Sequence, residues 1–170
     1  METSTLLKIA LITSLSALII GTIALYVSMV FKNKLLNKNN LKWNENLFFP
    51  IIMIGTIIRV GILISSIVPS ISSTLKIANR VANDSFYFEA FKFISLSAFI
   101  VLACVLIMNY LSTFLIQSLF DKIDITTEIK ESRYAYALLF SAIIIALSLI
   151  LKEGVLLISE ILIPYENISI

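Results

Sequence analysis

Apolar residues in this chain fall into four long unbroken runs rather than short alternating groups. They cover about Thr5–Phe31, Phe48–Val68, Phe93–Phe120 and Tyr134–Leu151, with "KEGVLLISEILIPY" able to carry the last run on to Ile163. A bilayer-crossing helix needs about 20 apolar residues. Helices are the expected form, because backbone polar groups in lipid must be satisfied within the segment. A membrane barrel would show short alternating segments instead. The pattern therefore predicts an all-α integral membrane protein with four transmembrane helices, as a single domain over residues 1–170. Pro50 fits the first turn of the second helix. Pro69 and Pro164 follow apolar runs and read as helix stops. Gly154 allows either a break into a short interfacial helix or a kinked continuation of the fourth helix, and the continuation is the expectation.

Composition agrees. The chain is 59% hydrophobic and 14% charged, against about a quarter charged in soluble domains. Its net charge of +2 gives no reason to expect a nucleic-acid partner. The first run has no basic region before it and no small-residue cleavage site after it, so it reads as a retained helix. Abundant Ile, Asn and Lys suit a bacterial source.

Basic residues are distributed unevenly between the loops. Seven (Lys32, Lys34, Lys38, Lys42, Lys122, Lys130 and Arg133) flank one side, and four (Lys8, Lys76, Arg80 and Lys92) flank the other. The positive-inside rule then puts the first and third loops in the cytoplasm and both termini outside a bacterial inner membrane. Aromatic residues near the ends, among them Phe48, Phe49, Tyr134 and Tyr136, are expected at the inner interface, and Phe86, Tyr87, Phe88 and Tyr165 at the outer one.

The second and fourth runs resemble each other. Setting Asn46 on Arg133 puts Gly55 on Ala142 and Arg59 on Ala146, which suggests two helix hairpins as parallel repeats about an axis along the membrane normal. Asn46 followed nine positions on by Gly55 and "GTII", with "EIKESRYAYALLFSA" as a second copy carrying Ala135 and Ala137, resembles the YjfL-like family of small bacterial inner-membrane proteins. The departures are Arg133 in place of the second Asn, bulky Phe48 and Phe49, and Arg59 where the family is small or apolar. The resemblance implies a four-helix fold and topology and assigns no activity.

Arg59 is the candidate functional residue. A central Arg costs about 2.5–3.5 kcal/mol on insertion scales, and the ten Ile, Leu and Val residues from Ile51 to Ile67 return about 3–6 kcal/mol, so the helix still inserts. The charge should face the bundle or water. No acidic residue stands at its expected depth near the midplane. Three readings are open: bonds to hydroxyls, backbone or water that fix packing; a polar pathway, which an Arg would bias toward anions; or an acidic partner from another chain. Asn109 is a candidate interhelical hydrogen-bonder. Lys152 and Glu153, nearer the outer interface, are the other polar candidates, and Arg59 reaches toward Glu153 only by snorkelling. Small residues at Gly21, Gly55, Gly61, Ala142 and Ala146 are candidate packing positions, serving either the bundle or a homo-oligomer.

The chain has no His and one Cys, Cys104. The sequence contains no nucleophile–base pair, phosphate loop, metal-spaced cluster or cofactor motif, so no catalytic, metal or cofactor site is expected. Asp121, Asp124, Glu128 and Glu131 read as a solvated acidic face. The expected function is an oligomeric membrane module with a permeation role around Arg59. The alternative is a non-conducting membrane subunit that senses the envelope or docks a membrane or cytoplasmic protein through its loops.

Overall fold

The computed structural model describes residues 3–38, 48–81, 86–119 and 134–161. All of them are helical: α1 Thr3–Lys38, α2 Phe48–Val81, α3 Phe86–Leu119 and α4 Tyr134–Ile161. Each is long and apolar enough to cross a membrane. Lys32, Lys34 and Lys38, expected in the first loop, fall in the last turns of α1; Lys42 and the rest of that loop, the acidic loop, Asn46, Arg133, Pro164 and Tyr165 lie outside the described residues.

Three helices exceed the lengths read from sequence. α1, α2 and α3 have 36, 34 and 34 residues, or about 50–54 Å at 1.5 Å per residue. The extra turns of α2 run straight through Pro69. Pro69 is therefore not a stop, and α2 does not end at Val68. Beyond Pro69, Ser70, Ile71, Thr74, Leu75 and Ala78 form a buried stripe. That packing outweighs the lost backbone donor, and the Pro69 ring stays on the exposed side. Helices in apolar surroundings tolerate such prolines when neighbouring groups support the chain. α3 likewise starts at Phe86 rather than Phe93, because Ala90 begins its buried face. α4 continues through Gly154 to Ile161.

α2 is central and touches the other three helices, most extensively α4. Phe48, Phe49 and Ile52 at the start of α2 cluster with Ala137 near the start of α4. Val155, late in α4, joins Ile67, Ile71 and Leu75, late in α2. The two helices thus run in the same direction. Phe48 and Phe49 are buried and meet edge-on at 6.0 Å, so they fill a core instead of marking an interface. Tyr87, Phe88 and Tyr134 are exposed.

α2 and α4 approach closely at Gly55. A Cβ on Gly55 would sit 2.8 Å from Ser141 Cβ and 3.0 Å from Ser141 Cα. Ser141 Oγ donates to the Ile51 carbonyl at 3.0 Å. Gly55 therefore packs on Ser141, one residue away from the Ala142 that the repeat alignment sets beside it. The buried face of α4 is Ala137, Ser141, Ile144, Ser148, Val155 and Ser159. Ala142 and Ala146 are exposed, which corrects their place as packing positions within the bundle. Gly61 is exposed too, with nothing within 4 Å of an added Cβ. A Cβ on Gly21 would meet Ile64 at an ordinary 3.6 Å.

Gly55→Ala should therefore lower stability by about 1–3 kcal/mol through overpacking, whereas Gly61→Ala should be neutral or mildly stabilising. Thermal unfolding in mild detergent checks both. Adding Ser141→Gly to Gly55→Ala should recover part of the loss.

Candidate functional site

The bundle is apolar on its outer surface, and polar side chains are set into its apolar core. Its outer surface carries Leu7, Leu15 and Leu18 from α1, Ile54 from α2, Phe91 and Phe99 from α3, and Leu138 and Ile150 from α4, all exposed. Its interior holds Thr13, Ser16, Ser28, Thr56, Arg59, Ser66, Ser97, Asn109, Ser112 and Ser148. Soluble monomers rarely expose large contiguous apolar areas. Helices with apolar residues on every face belong in a large core or a membrane.

Most buried hydroxyls turn back on their own helix. Thr13 donates to the Ile9 carbonyl at 2.8 Å, Thr56 to Ile52 at 2.8 Å, Ser66 to Leu63 at 2.7 Å and Ser148 to Ile144 at 2.6 Å. Ser112 donates to Met108 at 2.6 Å. Bonds of this kind satisfy a hydroxyl locally and leave little for a continuous polar path along the interior.

Arg59 is the exception. Its side chain is 0% exposed, and it reaches across two helix interfaces. Nη1 donates to Asn109 Oδ1 of α3 at 2.8 Å, and Nη2 donates to Ser28 Oγ of α1 at 2.9 Å. Ser28 is 0% and Asn109 4% exposed. One guanidinium thus joins three helices. The registers agree: Arg59 lies about 16 Å from the start of α2, and Ser28 and Asn109 lie about 15 Å from the ends of α1 and α3. Because α2 runs on to Val81, Arg59 lies about 8 Å short of the middle of its helix, on the Phe48 side.

The site contains more donors than acceptors. Arg59 Nε and Asn109 Nδ2 are buried without a hydrogen-bond partner among the described residues. Arginine only donates, so Asn109 must turn Oδ1 toward Nη1, which leaves its amide protons beside the cation. Lys152 and Glu153 stand apart from the site. Both are on α4, about 12 Å further along the bundle axis than Arg59; Lys152 is half-buried and Glu153 exposed. Of the residues singled out in the sequence, the structure joins Arg59 with Asn109 and leaves Lys152 and Glu153 outside. Ser28 is not evident from the sequence: it lies only about 5 Å from the end of the first apolar run at Phe31, against about 16 Å for Arg59 from Phe48. Only the extension of α1 to Lys38 brings the two level.

Comparison of the chain with protein-family models, curated proteins and solved structures gives no match. The chain is a four-helix bundle with a buried arginine, and each helix is long and apolar enough to cross a membrane, which suggests a multi-pass membrane protein.

Removing an acceptor should cost more than removing the charge together with its acceptor, because a buried charge without a partner is the costly state. Asn109→Leu should destabilise by about 1.5–3 kcal/mol. The double variant Arg59→Met/Asn109→Leu should be more stable than Asn109→Leu alone. Unfolding of all three in the same micelle would decide the sign.

Proposed function

We propose that the chain is a multi-pass protein of a bacterial inner membrane, working as a non-conducting membrane module that senses the envelope or docks a partner through its loops. The observation that supports this best is the closure of Arg59: fully buried and bonded to α1 and α3. A residue lining a water-filled route would keep an exposed face. The locally satisfied hydroxyls around it also favour a bundle that holds its shape over one that conducts. The loop charge asymmetry supports cytoplasmic first and third loops and both termini outside. The parallel direction of α2 and α4 suits the reading as two repeated hairpins, in keeping with the resemblance to the YjfL-like family. In this reading Arg59 and Asn109 fix packing, and the bilayer is the constant partner.

A second reading keeps permeation and places it in a homo-oligomer. It is favoured by the outward position of Gly61, Ala142 and Ala146, where small residues would let another copy approach closely.

Ion flux through liposomes containing the purified protein separates the two. The first reading expects no flux above empty liposomes, in wild type and in Arg59→Gln alike. Flux in wild type that is lost in Arg59→Gln would overturn it. Native mass in nanodiscs bears on the second reading: a stable monomer, unchanged by Ala146→Leu, would remove the oligomer.

A further inference from the structure

Lys152 and Glu153 stand where a membrane protein least tolerates charge. The bonds from Arg59 to Ser28 and Asn109 set the levels of α1 and α3 against α2, and Gly55 against Ser141 sets that of α4. On this scale Lys32 is about 6 Å to one side of Arg59, and Lys76 and Lys92 are about 25 Å to the other. Between those edges the four helices carry only Arg59, Lys152, Glu153 and, next to the Lys76 edge, Glu160. The edges are about 31 Å apart, the thickness of a hydrocarbon core. Lys152 and Glu153 fall close to its middle. Glu153 is exposed and Lys152 half-buried. Neither has an ion pair among the described residues, and sequence neighbours do not face each other on a helix. Charges inside a membrane pair with one another or face protein or water.

The surface around Glu153 has the pattern of a helix-pairing seam. Leu139, Ala142, Ala146, Leu149 and Glu153 are all exposed. They follow at steps of three, four, three and four, the heptad spacing of two parallel helices. We propose that this face of α4 pairs with a second copy of the chain in the same orientation, each Glu153 accepting from the partner subunit's Lys152. A two-fold axis along the membrane normal keeps equivalent residues at equal depth, so two opposite charges one residue apart meet across it reciprocally. The heptad register agrees. With Glu153 as the inward a residue, Lys152 is the preceding g residue and lines the hole that receives the partner's Glu153. The charges of both chains then cancel at a depth where lipid tails supply no partner. This pairing rests on the membrane reading and goes beyond it; it requires no permeation.

The test is energy transfer between donor- and acceptor-labelled full chains in phosphatidylcholine liposomes, followed against protein density. Wild type should associate saturably and one to one. Lys152→Glu and Glu153→Lys put like charges on both sides of the axis, and each should weaken association about tenfold or more. Mixing the two variants should restore it to within about threefold of wild type, because each chain then meets the opposite charge. No transfer in wild type, undiminished transfer in both variants, or a mixture no better than either alone would overturn the proposal. If either charge variant fails to insert, cross-linking in a Cys104→Ser background decides. On oxidation with copper phenanthroline, Leu149→Cys should give an interchain disulfide. Ile158→Cys, exposed on the opposite side of α4, should not. Equal yields from the two, or none from Leu149→Cys, would overturn the pairing. Release of the protein from cell membranes by alkaline carbonate would overturn the membrane reading and the pairing together. A monomer retained in the membrane would overturn the pairing alone.

Discussion

A guanidinium cannot be left bare in an apolar interior, and much of this bundle's architecture follows from that constraint. Arg59 projects from the most enclosed helix, and its charge needs acceptors that α2 does not supply. They come from α1 and α3, as Ser28 and Asn109. Meeting that demand brings three helices to a common level, with the three residues at similar distances from the helix ends that share a side. The long α2 carries its buried stripe past Pro69 to Ala78, where the neighbouring helices, α4 among them, cover it.

α4 is attached differently. It contributes no hydrogen bond to Arg59 and is held to α2 by shape. Gly55 lets the backbones approach until an added Cβ would collide with Ser141, and the Ser141 hydroxyl closes onto the Ile51 carbonyl. In apolar surroundings, burial of apolar surface gives little preference for one helix pairing over another, so close packing and hydrogen bonds carry the specificity. The two devices are complementary: a directional polar joint for α1, α2 and α3, and a steric joint for α2 and α4.

The number and kind of helices could be read directly from the apolar runs, since few other arrangements satisfy the backbone of such segments. The helix ends could not. Pro69 is a strong local stop signal, and only the buried stripe from Ser70 to Ala78 overrides it. The chemistry of Arg59 was legible, with the demand for bundle-facing acceptors evident from its charge and Asn109 the most suitable side chain on α3. Ser28 was hidden among many serines, because a hydroxyl becomes an acceptor for Arg59 only through register. The small residues show the same division. Spacing marked Gly55, Gly61, Ala142 and Ala146 alike, yet rotation about each axis turned Gly55 inward and the other three outward.

Why an arginine sits there at all is better answered by specificity than by stability. A well-packed apolar residue often costs a fold nothing relative to a buried charge. An apolar residue would also tolerate a slip between helices. Arg59 would not. Sliding α1 by seven residues would set Gly21 or Leu35 in place of Ser28, and the same slip of α3 would set Leu102 or Ile116 in place of Asn109. None of these side chains can accept a hydrogen bond, so a slip of two turns in either helix removes one of the two acceptors of Arg59. Back-bonded serines and threonines supply no such penalty, since their hydroxyls are satisfied in any register. The single charge therefore distinguishes one arrangement of three long, similar, apolar helices from its neighbours.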